Sequence, residues 1–405
     1  SYFVNDKTSL DFGLQSTYYT FNPGYIELAR LDSGINAEQL QKKYAMEHSV
    51  YVDISQDLSS SFSFQFGIRF NHFTRLKQDG LFTYENGMST RFNNSLGIYE
   101  KGVPTGLYNA NESSATYSHI EPRVTLSYAM ENSAFKASYN RLNQYLHLIS
   151  NTSSPTPLDI WAPSGPHLKP QQLDQWAIGY VRETQSQKSI EVEGFYKNVS
   201  NRLDYIDGAD LVANDAVEQV TMPGNVRAYG AEILVKKPIG KLQYWIAYTW
   251  SKSEQKTEGK AFGGPGINDG NWYPNAFDKR HDLSVNASYQ LNTKWSFNAN
   301  ILYQTGQPTT YPVGQYEFGG LRVPNYGKRN SNRFADYHRM DISATLKRPK
   351  KKNRQGSWIF GIYNVYNRKN AASINFRQNR ETQQNEAVRF SIFGIVPSVM
   401  YRIDW

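Results

Sequence analysis

Residues 283–291 alternate strictly. Leu283, Val285, Ala287, Tyr289 and Leu291 are apolar, and Ser284, Asn286, Ser288 and Gln290 between them are polar. Side chains on a strand point to opposite faces in turn, so a period of two specifies a strand with one greasy and one wet face. The pattern recurs in Trp295, Phe297, Ala299, Ile301 and Tyr303, and in Phe62, Phe64, Phe66, Ile68 and Phe70. It recurs again in Leu242, Tyr244, Ile246, Tyr248 and Trp250, and in Ile190, Val192, Gly194 and Tyr196. We count about fourteen such segments, with ends uncertain by about 2–4 residues. They lie near 8–19, 41–56, 60–75, 115–129, 134–147, 170–183 and 188–205. The others lie near 223–237, 241–254, 279–291, 294–305, 336–348, 356–367 and 388–404. No amphipathic helix and no dinucleotide or phosphate-loop fingerprint interrupts them.

The connections alternate too. Short ones fall at 57–59, 130–133, 184–187, 238–240, 292–293 and 349–356, and long ones separate them. Antiparallel hairpins with turns at one end and loops at the other give this order. Outer-membrane β-barrels have short periplasmic turns and long extracellular loops. A soluble β-sandwich shows no such asymmetry. A propeller would show a repeat of about 40–50 residues, and none is present. The segments, about 12–18 residues long, exceed the roughly 9–11 needed for a bare crossing. The expectation is therefore an all-β fold: one antiparallel transmembrane β-barrel domain over 1–405, with apolar side chains on lipid and polar ones in a wet lumen.

Composition agrees. The 405 residues average a hydropathy of −0.64, because only one face of each strand is greasy. The 29 Tyr, 21 Phe and 8 Trp suit girdles at the membrane interfaces and argue against a disordered chain. With 0 Cys, disulfides, thiol catalysis and Cys-ligated metals are excluded. No run of about 20 apolar residues suggests a membrane-spanning helix. The net charge of +8 is spread out except at 347–354. That run reads as a periplasmic turn near anionic headgroups rather than a nucleic-acid site.

The chain ends on Val399, Tyr401, Ile403 and Trp405, alternating and closing on an aromatic. Tyr401, Ile403 and Trp405 resemble the assembly signal of outer-membrane proteins, which implies the outer-membrane insertion machinery as a partner. Further stretches carry a wider resemblance. They include Leu142-Asn143-Gln144-Tyr145-Leu146-His147-Leu148, Leu158-Asp159-Ile160-Trp161-Ala162-Pro163 and Leu168-Lys169-Pro170-Gln171. Others are Tyr273-Pro274-Asn275-Ala276-Phe277-Asp278-Lys279-Arg280-His281-Asp282, Tyr363-Asn364-Val365-Tyr366-Asn367-Arg368 and Phe393-Gly394-Ile395-Val396-Pro397-Ser398. Their order and spacing resemble the barrel of TonB-dependent receptors, particularly the Bacteroidetes type, over most of 115–405.

The resemblance implies a 22-stranded outer-membrane barrel closed by an N-terminal plug. It implies uptake of scarce solutes too large for porins, driven by TonB through an N-terminal box. It implies no enzyme activity and no cofactor. The chain shows neither plug nor box, so the expectation is the C-terminal part of a larger barrel, lacking about eight strands. Implied partners are outer-membrane lipid and lipopolysaccharide, the TonB complex through the missing region, and a surface lipoprotein or other envelope proteins. Two other readings stay open: a non-transporting barrel subunit of an outer-membrane assembly, and a self-contained passive channel.

Candidate ligand contacts lie in the long connections. The proline-stiffened stretch 148–169 holds Asp159, Trp161 and His167. Stretch 255–278 has five glycines before Trp272 and Tyr273, and reads as flexible, a moving lid or an unordered loop. Stretch 306–335 holds Tyr311 and Arg322 with Lys328, Arg329 and Arg333, suited to an anionic ligand or to lipopolysaccharide phosphates. We single out Trp161, Trp272, Tyr273, Tyr311 and Arg322. His147, His167, His281 and His338 lack metal-ligand spacing and read as structural. Asp278, Arg280, His281 and Asp282 read as a hydrogen-bonded strand entry.

Overall fold

The computed structural model describes residues 1–26, 38–76, 80–108, 114–149, 160–211, 214–319, 321–349, 354–378 and 385–404. It shows a 16-stranded antiparallel sheet in which fifteen strands follow one path. We number these β1 (Tyr2–Asn5), β2 (Thr8–Phe21), β3 (Lys43–Asp57), β4 (Phe62–Arg75) and β5 (Ala115–Met130). They continue as β6 (Ser133–Gln144), β7 (Gln171–Glu183), β8 (Ser189–Tyr205), β9 (Thr221–Lys237) and β10 (Leu242–Lys256). The path ends with β11 (His281–Gln290), β12 (Trp295–Gln304), β13 (Tyr337–Lys347), β14 (Gln355–Tyr363) and β15 (Val396–Asp404). The pair Tyr273–Pro274 adds to β10 off this path. Each strand pairs with the next in sequence, so the sheet is a meander with turns at one end and loops at the other.

The alternation was a good guide. Every expected segment contains a wall strand. One strand is additional: β1, only four residues, is too short to show a period. The last segment is shorter than expected. Asn385–Phe390 pairs with Ser373–Gln378 in a loop hairpin, and the wall strand starts only at Val396.

The faces separate as the pattern requires. Phe12, Leu14, Ile68, Phe70, Ile120, Ile178, Ile233 and Phe297 are exposed on one side. Five aromatics on that side form a ladder across β6–β10. Tyr139 to Trp176 is 5.4 Å between ring centroids, Trp176 to Tyr196 5.9 Å, Tyr196 to Tyr229 6.4 Å and Tyr229 to Trp250 6.3 Å. Nearer the turns, Phe135 meets Tyr180 at 4.8 Å and Trp358 meets Tyr401 at 4.7 Å. Amphipathic rings at two levels match the girdles that bound a lipid-facing band. The opposite face is polar. There Arg69 donates to Gln15 at 3.1 Å, to Ser49 at 2.7 Å and to Asn71 at 2.8 Å, tying β2, β3 and β4.

β8 and β9 have 17 residues each, well beyond a bare crossing. A bulge between Val199 and Arg202, with Asn201 at φ 58°, divides β8 into a wall part and an extension. The extension, at the loop end, carries Leu203 and Asp204 opposite Pro223 and Met222 of β9.

Candidate functional site

The long connections fold together at the loop end. Ile149, Ile160, Leu168, Leu203, Val217 and Met222 are among the buried members of one apolar cluster. Met222, Gly224 and Val226 are buried while Asn225 between them is exposed. Met222 therefore continues the inner face, and the loops lie over that face.

Polar groups fasten the cluster across long stretches of sequence. Arg329, 8% exposed, pairs with Asp204 at 2.8 Å and also with Asp207. Its guanidinium lies 4.2 Å over the Tyr205 ring. Asn268, at φ 50°, accepts from the Arg329 amide at 2.8 Å and donates to its carbonyl at 2.9 Å. Tyr273 donates to the second Asp204 oxygen. Two separate connections thus meet on one carboxylate of the β8 extension. A second fastening joins 80–108 to 214–221: Tyr84 donates to Glu218 at 2.9 Å, and Thr90 donates to the Glu218 carbonyl at 3.2 Å. Burial and the nearby carboxylates, Asp204 for Tyr273 and Glu218 for Tyr84, push both phenols up, so both remain donors.

Stretch 255–278 is packed. Gly266 donates its amide to the Tyr99 hydroxyl at 2.7 Å. A Cβ on Gly259 would fall 2.0 Å from that hydroxyl, and one on Gly264 2.5 Å from the Phe92 ring. These glycines serve close approach rather than mobility, which corrects the sequence expectation of a flexible loop. Asp278, 1% exposed, accepts the Ser253 amide at 2.6 Å and pairs with Arg333, the hydrogen-bonded strand entry expected there.

The five candidates do not converge. Trp161, 52% exposed, stands on the hairpin Leu146–Ile149/Ile160–Pro163. Trp272 lies under Arg227, 4.3 Å from its guanidinium, and Arg227 is on the same face as the outward ladder residue Tyr229. Trp272 thus sits on the outer side of the wall, not at the mouth. Tyr273 is 4% exposed and holds Asp204, so its role here is to fasten the loop. Tyr311 packs edge-on to Phe376 at 5.2 Å. Arg322 lies in the strand Leu321–Tyr326, opposite Glu317. Asp159 and Trp405 lie outside the described residues.

Local sequence gave no sign of Asp204, Asp207, Glu218 or Arg227 as fastening groups. Asp204 and Arg329 are 125 positions apart, and no spacing rule reaches that far. The cations of 306–335 are mostly engaged: Arg329 with Asp204, Arg333 with Asp278, and Lys328 with Asp269 at 2.9 Å. That pairing removes much of the sequence argument for an anionic ligand.

The histidines have separate partners. His147, fully buried, lies 2.9 Å from the Ser164 hydroxyl and 3.2 Å from the Gln171 amide. Burial, then Arg202, holds its imidazole down to about 4. His167 reaches the Phe82 carbonyl at 3.0 Å, His281 the Tyr248 hydroxyl at 2.8 Å and His338 the Tyr366 hydroxyl at 2.9 Å. Among the described residues no group of three His, Cys, Asp or Glu is placed to hold a metal. A cavity between Lys43, Arg75, His167, Asp215 and Glu218 measures about 20 Å³. That is room for one water, not for a solute.

A greasy outer face, a polar inner face and fastened loops at one end describe a barrel wall, and comparison with known families decides which. The family described as TonB dependent receptor-like, beta-barrel, matches residues 2–367. The chain belongs to this family. Solved TonB-dependent receptors share its fold. The ferric yersiniabactin uptake receptor FyuA from Yersinia pestis superposes with a TM-score of 0.59 at 13% identity, covering 99% of this chain and 52% of that one. The ferric-catecholate import receptor Fiu from E. coli K12, in its closed form, gives 0.58 at 16%, with the same coverage of 99% and 52%. The ferripyoverdine receptor of Pseudomonas aeruginosa gives 0.57 at 12%, covering 98% and 45%. The chain thus spans about half the length of these structures. A search of curated proteins finds no match. As a TonB-dependent receptor barrel, the chain is an outer-membrane protein whose family transports rather than catalyses.

Proposed function

We propose that this chain forms much of the wall and loop cap of a TonB-driven importer for a scarce solute too large for porins. The observation that carries this reading is the loop cluster folded over the inner face and tied by Arg329 to Asp204 and Tyr273. A passive pore needs an open mouth, whereas a gated receptor needs ordered loops above a polar lumen. The fifteen wall strands compare with the 22 of plugged outer-membrane transporters, and we propose that the remaining wall, the plug and the TonB box belong to the same receptor. The named neighbours take up ferric siderophores, so a metal chelate is the first solute class to try. Trp161, exposed on its hairpin, is the contact we propose for it, with Tyr311 and Arg322 as further candidates. Trp272 and Tyr273 are better suited to holding the rim. We also propose that Tyr401, Ile403 and Trp405 are read by the insertion machinery.

The test is uptake of a labelled panel of ferric siderophores, cobalamin and oligosaccharides by cells with and without the protein, in TonB-competent and TonB-null backgrounds. The proposal expects one solute whose uptake is lost in both deletions. Uptake that survives loss of TonB would mark a passive channel. No change for any solute, with stable retention of other envelope proteins, would mark an assembly subunit.

A further inference from the structure

Two histidines stand face to face on neighbouring strands. His48 of β3 is the register partner of His72 of β4, with Ser16 of β2 beyond the first and Ser118 of β5 beyond the second. Opposed residues of an antiparallel pair share a face, with Cβ atoms about 4.5–5.5 Å apart. That face is the outward one. Val50 and Phe70, two positions along each strand, are exposed on the lipid side, while Ser49 and Asn71 hold Arg69 on the inner side. The next row toward the turns, Leu14, Val50, Phe70 and Ile120, is wholly apolar. The row Ser16, His48, His72 and Ser118 is wholly polar, so it marks where the lipid band gives way to water at the loop end.

The hydrogen bonding sets one ring toward the other. His72 Nδ1 lies 2.9 Å from the Ser118 hydroxyl, on the β5 side. Nε2 sits on the opposite flank of an imidazole from Nδ1, so it is turned toward β3, where His48 stands. Metal-bound histidines usually carry such a hydrogen bond on the other ring nitrogen, which fixes the ring and its tautomer. His48 is exposed and makes no side-chain bond among the described residues. Neither this row nor the next toward the loops, Tyr18, Met46, Thr74 and Thr116, contains a Lys, Arg, Asp or Glu. No cation stands there to repel a metal ion, and no carboxylate ties up the rings.

We propose that His48 and His72 chelate one divalent transition-metal ion through their Nε2 atoms on the outer surface of the wall. Imidazole ligands suit zinc, copper and nickel, whereas magnesium and calcium take oxygen. With two protein ligands the site is open, and the remaining positions of the ion go to water. It is a pair, distinct from the groups of three that are absent among the described residues. His281 and His338 also face outward, but each meets a tyrosine hydroxyl, at 2.8 Å and 2.9 Å, and has no second histidine opposite. The ion clips β3 to β4 at the rim. The site faces away from the lumen, so it is independent of the solute and of TonB.

Copper(II), the tightest binder of nitrogen sites among these ions, is the probe. The protein, folded in detergent and stripped with a chelator, receives one equivalent, and electron paramagnetic resonance counts the imidazole nitrogens around the ion. Heat-modifiable gel mobility is the folding control. Wild type should show two imidazole nitrogens. His48→Gln and His72→Gln should each leave at most one, and His281→Gln and His338→Gln should change nothing. Ser118→Ala keeps both ligands but frees the His72 ring, and should weaken binding by about 10–100-fold. Fewer than two nitrogens in wild type at one equivalent would overturn the proposal. So would a two-nitrogen signal that survives the double variant His48→Gln, His72→Gln, since the copper would then sit on other histidines.

Discussion

The two ends of the wall are held by different physics. The buried apolar residues, from Leu40 and Phe73 through Met222 to Tyr273, gather at the loop end. At the turn end the hydrophobic residues Ile239 and Leu242 of the 238–242 turn are exposed. A membrane wall has no hydrophobic core because lipid covers its greasy face, and backbone pairing keeps its amides satisfied. The loops project into water and must build a core as a soluble domain does, with buried ion pairs added. The turn end needs only local chemistry, such as the Asn292 side chain accepting the Lys294 and Trp295 amides, both at 2.9 Å.

That contrast can be broken at either end. The largest effect should come from Arg329→Ala, which strands the buried Asp204 carboxylate. Removing one partner of a buried pair costs about 3–5 kcal/mol. Limited proteolysis should then cut the loops while the heat-modifiable barrel persists; a loop cluster as resistant as wild type would show that the pair is dispensable.

Acid should act next, and again only on the loops. His147 is held down to about 4, against an ordinary value near 6.5. Between these values the unfolded chain binds the proton and the folded one does not. Loop stability is therefore complete above about pH 6.5, falls as pH drops, and is lower by roughly 3 kcal/mol below pH 4. His147→Gln should flatten the profile of loop proteolysis against pH, and an unchanged profile would rule out this histidine as the cause.

Ile178→Arg reverses the target. Ile178 is 64% exposed, and a charge on a lipid face costs about 2–4 kcal/mol at the midplane. Urea refolding into lipid vesicles should report that loss with the loops intact, and a neutral effect would mean that this face meets water. The smallest effect belongs to Lys236→Ala, whose ion pair with Glu191 at 2.9 Å is open to the wet lumen. A cost under about 1 kcal/mol in the same refolding assay is expected, vanishing in high salt.

The same contrast separates what sequence could and could not reveal. The wall was legible because a period of two is a local property, visible in runs such as Phe62 to Phe70. The final strand was overextended because apolar residues continue from the Asn385–Phe390 hairpin to Val396, with only a change of phase at Ile392 and Phe393, and pairing partners are what distinguish loop hairpin from wall. The loop cluster was not legible. Tyr84 and Glu218 are 134 positions apart, and nothing near either signals the other. Aromatic and glycine content suggested ligand contacts and a lid at 255–278, yet the glycines admit Tyr99 and Phe92, and Tyr273 serves Asp204.

The central claim is the two-faced wall, and the chain invites a direct test because it has 0 Cys. Single cysteines at 297–301, spin-labelled in lipid vesicles, would be scanned for collision with oxygen, which partitions into lipid, and with a water-soluble nickel chelate. The account predicts a period of two: labels at Phe297, Ala299 and Ile301 favour oxygen, and those at Asn298 and Asn300 favour the chelate. Uniform access to the chelate at all five positions, or the opposite phase, would contradict it.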